Sequence, residues 1–396
     1  MEYGLIGSKL GHSYSKIIHE MLCGYHYDLC PLPTEEEARA FLTRRQFKAI
    51  NVTIPYKRLV MEYCTYIDPR AKAIGAVNTV VNKNGLLYGY NTDHLGFAHL
   101  CDAHGVDFAG KTVLILGTGG THNTTSAVAR DKGAARVLTV SRTPDAAKGQ
   151  LSYEEAVFSG AQIVINTTPA GMYPNVGVCS LDVAAMPGLE AVVDVVYNPN
   201  KTELILRAEE AGVPVAVGGL EMLVAQAVYA AEYFLGRKFE DAPGEVRRIT
   251  AALRRETLNI ALVGMPSCGK STLGRLLAKQ LGRPLVDLDE EIVKADGGRH
   301  PGYLCRRGRR GLPGKGSCAD RPFRQGKRAC ALLRRRRGEA GQRMSAPCAR
   351  TAWCCSSTGR WKRWLWAATV RFLPAPRRCA PWKPSAARCT LPPQMR

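Results

Sequence analysis

The chain has 396 residues and a formal net charge of +21 at pH 7, a length that allows two or three domains with sizeable cores. The charge is not evenly spread: residues 299–396 hold 25 of the 55 Lys+Arg and 2 of the 34 Asp+Glu, so residues 1–298 carry a net −2. The basic total therefore gives no reason to assign the first three quarters to nucleic acid or to an acidic membrane surface, and the chain shows no apolar run of about 18 residues that would span a bilayer.

From residue 1 to about 240, short β-branched runs alternate with helix-length amphipathic segments, which predicts an α/β fold with largely parallel sheets. The opening MEYGLIGSKLGHS lacks the basic start and apolar stretch of a secretory signal. Cys23, Cys30, Cys64, Cys101, Cys179 and Cys268 show no paired spacing, as expected of reduced thiols in a cytoplasmic protein. Predicted strands are EYGLIG, KAINVT, KTVLILG, ARVLTV, AQIVIN and EAVVDVV. Asn84-Gly85 between AVNTVVNK and LLYGY predicts a tight hairpin, because this pair readily takes the left-handed turn conformation.

Ala103 to Gly110 reads as a connector, which places one domain at 1–102 and a second at 103–218. The helical segment 219–236 follows, then a charged segment, 240–257, read as a linker helix. A fresh strand, NIALVG, opens a third unit at 258–297, and no solenoid-like repeat is evident.

Two glycine loops follow apolar strands. VLILGTGGTHNTTSAVA sets Gly117, Gly119 and Gly120 at the mouth of a helix, where small residues let a pyrophosphate approach the helix amides, although a plain tight turn has the same look. The next strand ends in Ser141-Arg142-Thr143. Arginine there suits the 2′-phosphate of NADP, whereas an acid would suit NAD; a solvated loop arginine is the alternative. The second loop, GMPSCGKST, is a complete G-x-x-x-x-G-K-[ST] from Gly264 through Gly269, Lys270, Ser271 and Thr272. Standing between a strand and a helix, it predicts a cradle for a nucleoside triphosphate, with Lys270 on the β and γ phosphates and Ser271 toward Mg²⁺.

The first domain carries polar clusters at strand ends: SKLGHSYSK, NVTIPYK, GAVNT and GYNTDHLGF. Singly, each reads as turn and cap chemistry, with Asn91, Thr92 and Asp93 suited to a helix start and Pro55 to a first turn. Together with LGTGG, NTTPAGMYP and GLEMLVAQA they stand in the order and spacing of shikimate dehydrogenase, which residues 1 to about 240 resemble closely. The resemblance implies a substrate domain, a Rossmann NADP-binding domain and a C-terminal helix returning to the first domain. The implied reaction is the reversible reduction of 3-dehydroshikimate to shikimate by NADPH in aromatic amino-acid biosynthesis.

The resemblance further implies that Ser13 and Ser15 bind the substrate carboxylate, and that Thr53, Asn78, Tyr197 and Gln226 contact its ring hydroxyls and carboxylate. Lys57 and Asp93 would be the catalytic pair. Gly117, Thr118, Gly119, Gly120 and Thr121, with Ser141, Arg142 and Thr143, would line the cofactor phosphates, while Val195 and Gly219 approach the nicotinamide. Reduction of a ketone builds negative charge on its oxygen, so a lysine held beside a carboxylate in a cleft supplies the needed proton. The dehydrogenase needs no metal. It is expected to act on a small molecule in the cytoplasm, as a monomer or homodimer, without membrane or nucleic acid. Two departures stand out: His94 takes the position after NTD where the family has glycine, and THNTT replaces smaller residues after GTGG.

Residues 258 to about 297 resemble the opening of shikimate kinase, in which Asp287 and Asp289 would serve the metal and the shikimate hydroxyl, with ATP and Mg²⁺ at Lys270 and Ser271. Past Gly298 the composition switches. Residues 299–396 contain all five tryptophans, eight of the fourteen cysteines, one valine, and neither isoleucine nor asparagine. This predicts an unstructured tail at 298–396, and runs such as CRRGRRGLPGKG read as a GC-rich gene translated out of frame. Two alternatives are a bifunctional enzyme that also phosphorylates shikimate with ATP, and a nucleic-acid-binding tail built on WKRWLW and its arginines.

Overall fold

The first sheet gathers six strands in the order β2-β1-β3-β5-β6-β4. In chain order its elements are β1 (Tyr3–Gly7), α1 (Ser15–Leu22), β2 (Asp28–Pro31), α2 (Glu35–Arg44), β3 (Ala49–Val52), β4 (Tyr66–Ile67), α3 (Pro69–Ile74), β5 (Thr79–Lys83) and β6 (Leu86–Tyr90). This computed structural model describes residues 1–11, 13–264, 270–287, 330–334 and 352–356.

β1, β2 and β3 run parallel, and β5 and β6 return as the predicted hairpin, with Asn84 at φ 54° and Gly85 at φ 86°. β3 reads AINV because both its faces are covered. Ile50 and Val52 meet Leu42 of α2 and Ala71 of α3 on one side, and Ala49 meets Tyr27 and Phe234 on the other. α2 begins in a capping box between Thr34 and Glu37, and α3 begins at Asp68-Pro69 and stops at Gly75, φ 74°.

The second sheet is wholly parallel in the order β11-β10-β9-β7-β8. It is preceded by α4 (Thr92–Ala103) and built from β7 (Thr112–Leu116), α5 (Gly120–Asp131), β8 (Arg136–Val140), α6 (Tyr153–Val157), β9 (Ile163–Asn166), β10 (Ala191–Asp194), α7 (Glu203–Glu210) and β11 (Val215–Gly218). The six predicted strands are all present; β2, β4 and β11 were not foreseen. β7, β9 and β10 are almost fully buried, so their sequences are nearly unbroken apolar runs.

Two boundaries differ from those predicted. Phe97, Leu100 and Cys101 of α4 share a core with Val113, Ile115 and Ile163, so this helix packs on the second sheet although the sequence boundary leaves it in the first domain. The segment read as a linker is indeed a helix, α9 (Ala242–Thr257), but it is packed: Val246, Ile249 and Leu253 join Ile18 of α1 and Val224 and Val228 of α8 (Leu220–Leu235) in one core. The apolar positions recur at helical spacing on one face, and the charges that suggested a linker occupy the other.

The third sheet is parallel in the order β13-β14-β12-β15, from β12 (Asn259–Gly264), β13 (Leu285–Asp287), β14 (Cys330–Arg334) and β15 (Ala352–Ser356), with α10 (Lys270–Leu281) after β12. Two short runs from beyond residue 298, CALLR in β14 and AWCCS in β15, pair with β12 on either side. Arg283 ties this unit to the end of α9, donating to the carbonyls of Leu258 at 2.8 Å and Arg255 at 2.6 Å. Gly269, Asp289, WKRWLW and the remaining tail readings lie outside the described residues.

Candidate active site

Lys57 sits in the turn that leaves β3, and its backbone is held from several sides. Thr53 N–H donates to the Ile6 carbonyl at 2.9 Å, Tyr56 N–H closes the turn onto the Thr53 carbonyl at 3.0 Å, and Val77 N–H donates to the Lys57 carbonyl at 2.9 Å. The buried Tyr56 hydroxyl fastens the turn to the Leu32 and Thr34 carbonyls at 2.6 and 2.8 Å. So anchored, the Lys57 ammonium lies 2.6 Å from Asp93 Oδ2, with the two side chains 25% and 18% exposed.

Asp93 occupies the first turn of α4, where the helix N-terminus favours a carboxylate. Asn91 caps that helix, accepting from His94 N–H at 3.1 Å while donating to the Ala76 carbonyl at 2.9 Å. Asn78 Oδ1 accepts from Thr92 N–H at 2.7 Å and from the Thr79 hydroxyl at 3.0 Å. Its oxygen is thereby committed to the protein. Asn51, a residue the motifs did not single out, supports this group: it accepts from Tyr27 and donates to Thr79 Oγ1 at 3.1 Å and to the Asn78 carbonyl.

Ser13 and Ser15 lie together at the start of α1, with Ser13 Oγ accepting from Ser15 N–H at 3.2 Å. Tyr14 between them meets the ring of Tyr197 at 5.6 Å, which brings a residue from beyond β10 to the start of α1. Gln226 lies on α8 where that helix meets α4, its Nε2 bonded to the Leu223 carbonyl. Gly96 makes this approach possible: a Cβ there would stand 2.7 Å from the Met222 carbonyl oxygen and 2.9 Å from Gln226 Cβ. Direct contacts thus unite Lys57 with Asp93, Ser13 with Ser15, and Tyr197 with the Ser13–Ser15 segment, while Thr53 shares the Lys57 turn.

The dinucleotide loop has the features that a pyrophosphate needs. Gly117 adopts φ +101°, and a Cβ there would lie 2.8 Å from Thr168 Cγ2. Thr118, Gly119 and Gly120 are exposed and Thr121 is half-buried at the mouth of α5, so its first amides face outward. Ser141 and Thr143 hydrogen-bond each other in the loop after β8, and Arg142 stands exposed without an ion pair among the described residues. Gly219 and Val195 are in close contact, since a Cβ on Gly219 would lie 2.2 Å from the Val195 carbonyl oxygen. These features fit a dinucleotide.

Sequence reading missed the group beneath that contact. Asp194 is fully buried and accepts from the Thr202 hydroxyl at 2.6 Å, Asn166 Nδ2 at 2.9 Å and Val196 N–H at 3.0 Å. Burial outweighs these donors and pushes its carboxyl up to about 6. The two departures also find places: His122 bonds Thr139 Oγ1 at 2.8 Å, with burial holding its imidazole below the usual range, and His94 bonds Asp131 at 2.9 Å. In the third unit, Lys270, Ser271 and Thr272 open α10, Gly264 ends β12 and Asp287 ends β13.

The chain resembles known proteins over this same region. Residues 5–80 match the shikimate dehydrogenase substrate binding domain, and residues 266–311 match shikimate kinase, further than the resemblance to about 297 reaches. Shikimate dehydrogenase (NADP(+)) of Clostridium perfringens (strain ATCC 13124) is 36% identical over 259 residues, covering 61% of this chain and 95% of that protein. The Bacillus cereus (strain B4264) protein of the same name is 35% identical over 257 residues, 59% and 92% of the two chains. Among solved structures, a chorismate mutase/shikimate 5-dehydrogenase fusion protein from Clostridium acetobutylicum superposes with a TM-score of 0.60 at 32% identity, covering 64% of this chain and 97% of that one. Shikimate 5-dehydrogenase from Thermus thermophilus, in complex with NADP(H) and shikimate, gives a TM-score of 0.56 at 28% identity, covering 64% and 99%. With nearly the full length of such relatives matched, and with the lysine–aspartate pair and the glycine loop standing where two α/β sheets meet, this chain belongs to the shikimate dehydrogenase family.

Proposed function

We propose that the protein is an NADP-dependent shikimate dehydrogenase that interconverts 3-dehydroshikimate and shikimate. The observation that carries this reading is the 2.6 Å contact between Lys57 on the first sheet's turn and Asp93 on a helix packed against the dinucleotide sheet. NADPH, when bound, supplies the hydride. As charge grows on the ketone oxygen, the Lys57 ammonium donates a proton to it, and Asp93 orients the ammonium and accepts a hydrogen bond from the resulting hydroxyl. In the reverse direction Lys57 takes the proton back.

Ser13, Ser15 and Tyr197 hold the substrate carboxylate in this reading, and Thr53, Asn78 and Gln226 the ring hydroxyls. The exposed amides of Thr118 to Gly120 take the pyrophosphate. Arg142, exposed and without an acidic partner among the described residues, takes the 2′-phosphate, and the small Gly219 against Val195 leaves room for the nicotinamide ring. We place the activity in the cytoplasm, in keeping with the free thiols of Cys23, Cys30, Cys64, Cys101 and Cys179. Among the described residues, no helix is long and apolar enough to cross a membrane.

The test is an assay of the purified chain with shikimate and NADP⁺. Growth of the reduced-nicotinamide absorbance is expected, with NAD⁺ a poorer oxidant and with no shikimate-dependent consumption of ATP. Absence of NADP⁺ reduction overturns the reading, and ATP consumption restores the bifunctional alternative.

A further inference from the structure

The first turn of α4 stands on the border of the two sheets, and its side chains divide between them. Asn91 bonds the Ala76 carbonyl at 2.9 Å, Thr92 bonds Asn78, and Asp93 bonds Lys57 at 2.6 Å, all on the substrate side. His94 turns the other way. Its Nε2 lies 2.9 Å from Oδ2 of Asp131, the last residue of α5, which is the helix that opens at the GTGG loop. Among the described residues, this is the hydrogen bond from the turn's side chains that reaches the cofactor-binding unit.

The imidazole is 9% exposed, and its buried Nδ1 has no hydrogen-bond partner among the described residues. A buried ring held by one bond depends on that bond for its orientation, and removal of the acceptor leaves both nitrogens unpaired at a cost that favours movement of the turn. The direction also matters. Lys57, Asn78 and Ala76 draw the turn toward the substrate sheet, while among the described residues the hydrogen bond of His94 toward α5 opposes that pull.

We propose that the His94–Asp131 pair is a positioning latch that fixes the turn carrying Asp93 to the cofactor helix. The catalytic carboxylate thereby keeps one distance from the bound dinucleotide while Lys57 closes on it from the substrate side. His94 and Asp131 touch no reacting atom; they act through Asp93. The inference rests on the dehydrogenase reading for its kinetic part only.

The full-length chain is compared with His94→Ala, Asp131→Ala, the double variant and His94→Gln, by amide hydrogen exchange and by steady-state kinetics. Exchange in residues 91–96 is expected to quicken about tenfold in each single variant. The double variant should show no further increase, peptides of β7 and β9 should stay unchanged, and His94→Gln, which keeps a donor, should recover most of the protection. In kinetics, kcat should fall by roughly ten- to a hundredfold with smaller changes in the KM of shikimate and NADP⁺. Unchanged exchange at 91–96, or an equal rise in β7 and β9, overturns the latch, as does additivity of the two single changes. A wild-type chain that does not oxidise shikimate overturns the dehydrogenase reading, and exchange alone then decides the latch.

Discussion

At the scale of single residues, the proposed chemistry turns on how an ammonium and a carboxylate are held. Asp93 lies in a helix's first turn and Lys57 in a braced loop, so neither position relies on a flexible stem alone. Asp93→Asn keeps the shape and removes the charge that orients Lys57; kcat is expected to fall by about a hundredfold, with NADP⁺ binding little changed in a direct titration. Gly219→Ala places a methyl 2.2 Å from the Val195 carbonyl oxygen, so the backbone there must shift, and with it the nicotinamide end of the proposed cofactor site. The expected result is a weaker dissociation constant for NADP⁺ together with a lower melting temperature. His19 shows how burial couples a residue to pH. It is fully buried, stacked 4.2 Å from Tyr27, and burial pushes its imidazole down from 6.5 to about 3. The unfolded chain takes up this proton first, so His19's contribution to stability is full above pH 6.5 and is lost as pH falls toward 3, by up to about 5 kcal/mol. His19→Phe should flatten that part of the acid-denaturation profile, and an unchanged slope in denaturant titrations across this range would contradict the assignment.

At the scale of elements, α4 and α8 form the junction. Gly96 lets them approach, and Glu221 in the first turn of α8 binds His104 of the α4 terminus at 3.0 Å and lies 3.7 Å from His99. Burial raises the Glu221 carboxyl, but the two imidazoles outweigh it and bring it down to about 2. Its stabilising effect is therefore present above the ordinary glutamate range and lost as pH falls toward 2. Glu221→Gln should lower the melting temperature at pH 7 and narrow its fall between pH 5 and pH 2, a comparison that thermal scans across pH decide. Much of this layer was legible beforehand. The six β-branched runs are strands, and the Asn84-Gly85 turn falls where its backbone preference puts it. β2 and β11 were missed because DLCP and VAVG are only partly buried and carry neither an unbroken β-branched run nor a marked alternation. The allegiance of α4 was missed for another reason: an apolar helix face says that something covers it, not which sheet does. Lys57 and Asp93 could be named from their motifs, whereas Asp194 with Thr202 and His94 with Asp131 are pairings that only the folded chain brings together.

At the scale of the molecule, the dehydrogenase portion closes on itself before the third unit begins. α9 seals the core shared by α1 and α8, and Arg283 adds two hydrogen bonds to its end. A chain ending after Leu258 is expected to fold and to keep shikimate turnover within about twofold, since that core retains all its members. Loss of activity in a soluble truncated protein would show that the third unit supports the site. The excess of basic residues falls beyond residue 298 and outside this portion, so the same truncation should leave the affinity for NADP⁺ intact. The most direct measurement on the whole chain is turnover of Lys57→Ala beside its dissociation constant for NADPH. The account predicts turnover reduced by several orders of magnitude with the dissociation constant nearly unchanged; near-normal turnover, with NADPH bound as tightly as before, would contradict it.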